Sequence, residues 1–289
     1  MNISLNTIAN DDVTFGKVTI VSNEIKTLLS NYNNTFSSKE EQAVQSFIDT
    51  LQETGLWNKI TNLYLPCLSG DLEHSLLDVK SSYKSSSPVI DTLGNWKGKD
   101  GSTSIATFEK SKGITLINNV EFDEKNWLTR NIDNRDVHFG LRHSGYTPIT
   151  GSSGTYNSIV WIDNPFSHPF GYSRFIRSIV IDSKQAVEGI NNGSNYPVNA
   201  FFSMKSSEEG KVNQYAWSTA DAAPIDTTNN PITVSTTTSL ALWFSNWDRK
   251  VVSWQKIKFM TYGQALSIDE MKTYSTAIDN LMSVIENNA

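Results

Sequence analysis

Between Lys80 and Gly263 the chain keeps returning to one pattern. A short stretch alternates apolar with other residues, and a cluster of Gly, Pro, Asn, Asp, Ser or Thr follows. Period-two alternation places every second side chain on one face, which is the signature of a half-buried strand. "VHFGLRHS" sets Val137, Phe139 and Leu141 on one face and His138, Gly140 and Arg142 on the other. "SRFIRSIVIDS" groups Phe175, Ile179 and Ile181, and "VNAFFSM" groups Val198, Ala200, Phe202 and Met204. "TSLALWFSNWD" is apolar on both faces, so it reads as a strand covered on both sides. "SWQKIKFMTYG" reads as one further strand. The intervening "GKDGS", "TGSSGT", "DNPFSHPFG", "GINNGSNYP" and "DTTNNP" are turn chemistry. About ten to fourteen short strands joined this way predict a mainly β fold, a two-sheet antiparallel jelly-roll sandwich.

Helices are expected at both ends. "NEIKTLLSNY" spaces Ile25, Leu28, Leu29 and Tyr32 helically, after a short strand at "VTFGKVTIV". "SSKEEQAVQSFIDTLQETG" has Ser37 or Ser38 as cap and Glu40 or Glu41 three residues on. Its apolar stripe is Val44, Phe47, Ile48 and Leu51, and Gly55 suits the left-handed position that ends a helix. "LWNKITN" adds a helical turn, "LYLPCL" reads as a buried strand, and "DLEHSLLDVK" as a short helix leading into a strand. At the other end, Ser267 caps a helix with Glu270 at the capping-box distance. Ile268, Met271, Tyr274, Ile278, Leu281 and Ile285 form a stripe whose expected partner is the Val44–Leu51 stripe. The expected organisation is an N-terminal attachment or oligomerisation arm at 1–36, a helical connector at 37–79, and the sandwich with its C-terminal helix at 80–289.

Bulk properties narrow the function classes. The net charge is −6, with no long basic run, so binding to nucleic acid by phosphate neutralisation has no support. No run of about 18 apolar residues occurs, so no membrane span is expected. "MNISLNTIANDD" lacks the basic start and apolar core of a secretory signal. The single cysteine, Cys67, has no internal disulfide partner. A particle assembled in a reducing cytoplasm and then released would suit such a chain, as would other intracellular settings.

Two stretches carry a resemblance. "GLWNKITNLYLPCLSGDLEHSLLDVKS" resembles a segment ahead of the lectin-like sandwich in many phage-encoded proteins. There a "GLW-x-K" helix leads to an "LY" strand, and "LL-x-x-K" enters the sheet. "YGQALSIDEMKTYSTAIDNLM" resembles the end of laminin-G or concanavalin A-like domains, where a last strand runs into a "G-x-x-LS-x-x-E" helix start. The resemblance spans about residues 37–289, with its specific motifs at the two ends and only the strand pattern between them. It implies a concanavalin A-like fold in a virion appendage, a head or tail fibre, made in a host cytoplasm. It also implies a homo-oligomer, with a trimer as the usual number for fibres. The arm would join other virion proteins, and a host-surface glycan would be the ligand.

Chemistry-bearing motifs are weak. "GNWKGKDG" lacks phosphate-loop spacing, with Asp100 where Ser or Thr would hold Mg²⁺, so it reads as a turn. In "EFDEKN", Glu121 and Asp123 share a strand face, as in glycosidases that place two carboxyls about 5 Å apart. Lys125 and Asn126 occupy both positions where the second glutamate would stand, and Glu124 falls on the opposite face. His138 and His143 face opposite sides of a strand, so they make no metal pair, and His138 reads as an outward polar residue. Asn131, Asp133, Asn134 and Asp136 match no Ca²⁺ loop and read as a self-bonded turn. No catalytic residue, metal or cofactor is expected, and Cys67 reads as an inert core thiol. Of the eight tryptophans, Trp161, Trp217, Trp243 and Trp254 lie in strands and are expected mainly in the core. Trp96, Trp127 and Trp247, flanked by polar turn residues, are the expected glycan-binding surface. A stand-alone carbohydrate-binding module is the alternative, and a polysaccharide-degrading enzyme a more distant one.

Overall fold

The computed structural model describes residues 20–90, 106–116, 132–133, 136–144, 146–147, 161–163, 197–208, 211–219, 225–226, 232–233, 239–243 and 253–287. The described chain opens with helices α1 (Asn23–Ser30), α2 (Ser38–Glu53) and the one-turn α3 (Leu56–Lys59). Strand β1 (Ile60–Tyr64) follows, then the short helix α4 (Val79–Ser82). The strands after it are β2 (Ala106–Glu109), β3 (Gly113–Leu116), β4 (Ile132–Asp133), β5 (Asp136–Ser144), β6 (Tyr146–Thr147) and β7 (Trp161–Asp163). Then come β8 (Pro197–Glu208), β9 (Lys211–Ser218), β10 (Ile225–Asp226), β11 (Ile232–Thr233), β12 (Ser239–Trp243), β13 (Ser253–Ile257) and β14 (Phe259–Gly263). Helix α5 (Ile268–Ile285) closes the described chain.

The strands form antiparallel sheets. The largest has the order β1-β14-β5-β8-β9-β10, with β11 also pairing to β9. Two smaller sheets have the orders β4-β12-β7 and β2-β3-β13-β6. Fold class at this level is as expected: antiparallel sheets with helices added.

Helices cover one face of the large sheet. Three rows of side chains cross that face in register. Phe259, Arg142 and Asn199 form one row. Leu63, Thr261, Gly140, Phe201 and Trp217 form the second. Gly263, His138, Ser203 and Tyr215 form the third. Onto them pack Met271, Tyr274, Ile278, Leu281, Met282 and Ile285 of α5, together with Val44, Phe47, Ile48 and Leu51 of α2. The Phe47 and Tyr274 rings lie 6.4 Å apart, so the two expected stripes do meet. They meet on the sheet, above Phe201 and Phe259, whose rings lie 5.5 and 5.3 Å from Tyr274. Gly140 permits this. A Cβ there would come within 2.5 Å of the Phe201 ring, so only glycine lets that ring lie across β5. Val137, Phe139, Leu141, Met260 and Tyr262 alternate with these rows and are also buried, so the sheet is covered on both faces.

Residues 20–36, expected within an arm, run into this same core. Ile25, Leu28, Leu29 and Tyr32 are at most 2% exposed and belong to the α2–α5 cluster. The short strand expected at "VTFGKVTIV" lies largely outside the described residues. Both long helices carry the expected capping boxes, Ser37 with Glu40 and Ser267 with Glu270, and Gly55 takes φ +77°.

Three local expectations need correction. The strand expected at "LYLPCL" is β1, which starts earlier and stops at Tyr64. Pro66, with no N–H to give a ladder, opens a 3₁₀ turn instead. The strand expected after "DLEHSLL" is reduced to two single bridges, Tyr64 with Asp78 and Leu77 with Ile90. Asp78 then caps α4, its carboxylate accepting from the Lys80 N–H at 3.1 Å. "SWQKIKFMTYG" forms two strands in two sheets. At the break, the Lys258 N–H donates to the Arg142 carbonyl at 2.9 Å, and the chain passes from the four-stranded sheet to the large one.

Candidate functional site

The polar groups on the helix-facing rows converge on α5 and hold both its ends. At its start, the three residues after β14 are pinned from three sides. The Gln264 N–H donates to the Lys59 carbonyl (2.7 Å), Ala265 N–H to Asp136 Oδ1 (2.9 Å) and Leu266 N–H to Ser203 Oγ (2.9 Å). Lys59 Nζ adds a 2.8 Å hydrogen bond to Glu270. His138 Nδ1 donates to the Gln264 carbonyl at 2.5 Å, which fixes the neutral tautomer with its proton on Nδ1. The expectation of an outward His138 is therefore overturned. The residue is fully buried, with the β14–α5 linker seated on the face that the strand pattern left looking polar. Burial pulls its pKa from 6.5 down to about 4, against the opposing pull of the Gln264 carbonyl.

At the far end, Arg142 Nη1 donates to Asp279 Oδ1 (2.6 Å) and Asn199 Oδ1 (2.9 Å). Lys258 Nζ donates to Glu286 Oε1 at 2.7 Å, and Asn199 Nδ2 to Ser275 Oγ at 2.6 Å. The Arg142 and Lys258 side chains are only 6% and 8% exposed, whereas Asp279 is 49% exposed. Sheet cations thus meet helix carboxylates at the edge of the core. Packing still dominates the energy. Six large apolar side chains of α5 at about 1.5–3 kcal/mol each outweigh a few ion pairs. The polar contacts fix where along the sheet the helix sits. Sequence reasoning missed this clasp, although Asp279 and Glu286, two turns apart beside the stripe, were its available signal.

The three tryptophans expected to bind glycan, Trp96, Trp127 and Trp247, lie outside the described residues, as do Glu121, Asp123, Asn131 and Asn134. Asp136, expected in a self-bonded turn, instead supports the β14–α5 linker. Cys67 is buried, and burial pushes its thiol up to about 12, so it is unreactive at neutral pH. Among the described residues, no group of three or more His, Cys, Asp or Glu is arranged to hold a metal ion. No described helix is long and apolar enough to cross a membrane.

Among the described residues, two aromatic pairs are only partly buried. Trp57 and Tyr83 meet edge to face at 5.3 Å, but Lys80 and Lys84 lie over their rings, at 4.3 and 5.3 Å. That pair is closed on itself. Tyr215 and Trp217 share the helix-side face of β9, at the margin of the helix layer. Trp217 stacks on the buried Phe201, 6.4 Å away and tilted by 26°.

Compared with known proteins, the chain matches no family model and no curated protein sequence.

Proposed function

We propose that this chain is a non-enzymatic structural protein of a bacteriophage virion. In this reading it is a fibre-type subunit of the head or tail that displays a concanavalin A-like jelly roll. It works as a homo-oligomer, with three copies as the number to test first. The observation that carries the reading is the use made of the ionisable groups. His138, Arg142, Lys258 and Lys59 are all consumed in seating α5. A body so built serves as a rigid platform. Its described N-terminal entry is Ile20, 84% exposed, just ahead of the buried α1 stripe. Attachment to other virion proteins therefore falls to residues 1–19. The two end motifs support the fibre assignment, and the aromatic margin of β9 supports host-surface glycan as ligand. That same margin also favours a second reading, a carbohydrate-binding module acting on its own.

The test is a density gradient of particles purified from cells that make the protein, with light scattering on the purified chain. Co-migration with particles and a mass above that of one chain are expected. A strict monomer found only in the particle-free fraction overturns the proposal and leaves the stand-alone module.

A further inference from the structure

We propose that His138 and the β14–α5 linker form an acid-operated latch: when the imidazole takes up a second ring proton, the start of α5 lifts from the sheet before the rest of the fold gives way. The ring is fully buried on β5, with Gly263 of β14 and Ser203 of β8 beside it in the sheet and the linker seated on it. Nδ1 donates to the Gln264 carbonyl, and Nε2 faces Thr261 Oγ1 at 3.4 Å. The Thr261 hydroxyl donates to the Asn62 carbonyl at 3.2 Å, so its hydrogen is spent elsewhere. The partners of the ring are thus a carbonyl and a hydroxyl, with no carboxylate in contact.

Among the described residues, the charged groups around this corner are Lys59 on α3, Glu270 on α5, Asp136 on β5 itself and Lys205 opposite it on β8. Lys59 Nζ reaches the Ala265 carbonyl at 3.3 Å, one residue from the carbonyl that His138 holds. Against the opposing effect of partial burial, hydrogen bonds from Lys59 and the Ser267 N–H hold the Glu270 carboxyl below its usual range. An imidazolium here would stand beside the Lys59 ammonium with its charge unpaired, which is costly until water reaches the ring. The linker is the part that can move. Strands β14 and β8 are each held by a neighbour on both sides, and a Cβ on Gly263 would collide with the Lys59 carbonyl, so the strand end stays seated. The far end of α5 is held separately, by Arg142 on Asp279 and Lys258 on Glu286. The helix therefore opens from its start. With the ring's pKa at about 4 when covered and 6.5 when hydrated, a fall from pH 7 to pH 4.5 raises the open fraction roughly fifty-fold.

The experiment is amide hydrogen exchange on the full chain at pH 7, 5.5 and 4.5, corrected for the intrinsic pH dependence of exchange. Peptides covering residues 264–274 are expected to lose protection by roughly fifty-fold across that range, while those covering 278–287 and 44–51 stay protected. His138→Gln, which can donate a hydrogen bond but does not titrate, should remove the difference. The His138 ring resonance of the wild-type protein gives a readout independent of variant folding, and should titrate well below 6.5. Parallel loss of protection along all of α5 and α2 overturns the latch in favour of ordinary acid unfolding. An unchanged linker, the same pH response in His138→Gln, or a ring that titrates near 6.5 overturns it as well.

Discussion

His138 shows what one buried ring can impose on a fold. Its pKa is about 4 in the folded protein, where burial disfavours the charged form, and about 6.5 when unfolded. Between those values the unfolded chain binds more protons, so stability falls as pH drops from about 6.5 to about 4. The loss over that window is about 3 kcal/mol, and this residue adds no pH dependence above it. Urea unfolding at pH 7 and pH 4.5 checks this. His138→Gln should narrow the difference between the two conditions, and an unchanged difference would count against the account. Gly140 is the second sensitive residue. Alanine there would press a methyl group into the Phe201 ring, at an expected cost of about 1–3 kcal/mol read from the same unfolding curves. Neither residue could be ranked from the sequence, because "HFGLR" gives its alternation without saying what covers the second face. Val137, Phe139 and Leu141 were legible as core. His138 and Arg142 were not, since their partners lie more than a hundred residues away on α5 and its linker.

Elements with local signals were the legible ones. Helices α2 and α5 declare themselves by a capping serine, a glutamate three residues on and an apolar stripe, and those are short-range features. The pairing of their stripes was also legible, because each needs a partner of its own length. What the sequence hid was the surface beneath them, the large sheet itself, since strand pairing is set by contacts distant along the chain. The break of "SWQKIKFMTYG" at Lys258 was hidden for the same reason. The expected glycan-binding tryptophans lie outside the described residues, whereas Trp217, expected in the core by strand position, lies at its edge. The seating of α5 can be tested at this scale. Asp279→Ala removes the 2.6 Å acceptor of a guanidinium that stays buried, and should cost about 1–3 kcal/mol. Lys272→Ala, on the exposed side of the same helix, should stay within about 0.5 kcal/mol. Equal effects of the two in thermal melts would mean that the clasp adds nothing to packing.

At the scale of the whole molecule, the chain's described ends converge. Helix α1 and helix α5 share one core on one face of one sheet, so the first and last described helices are tied together. In the proposed reading, residues 1–19 attach the protein to the particle and the described body is the platform they hold. The direct test is to supply the full chain and a 20–289 chain separately to particles lacking the protein, and to measure how much of each co-sediments. Full-length protein should load onto the particles, while the shortened chain should melt at the same temperature and stay in the supernatant. Equal loading of both chains, or loading of neither, would contradict the account.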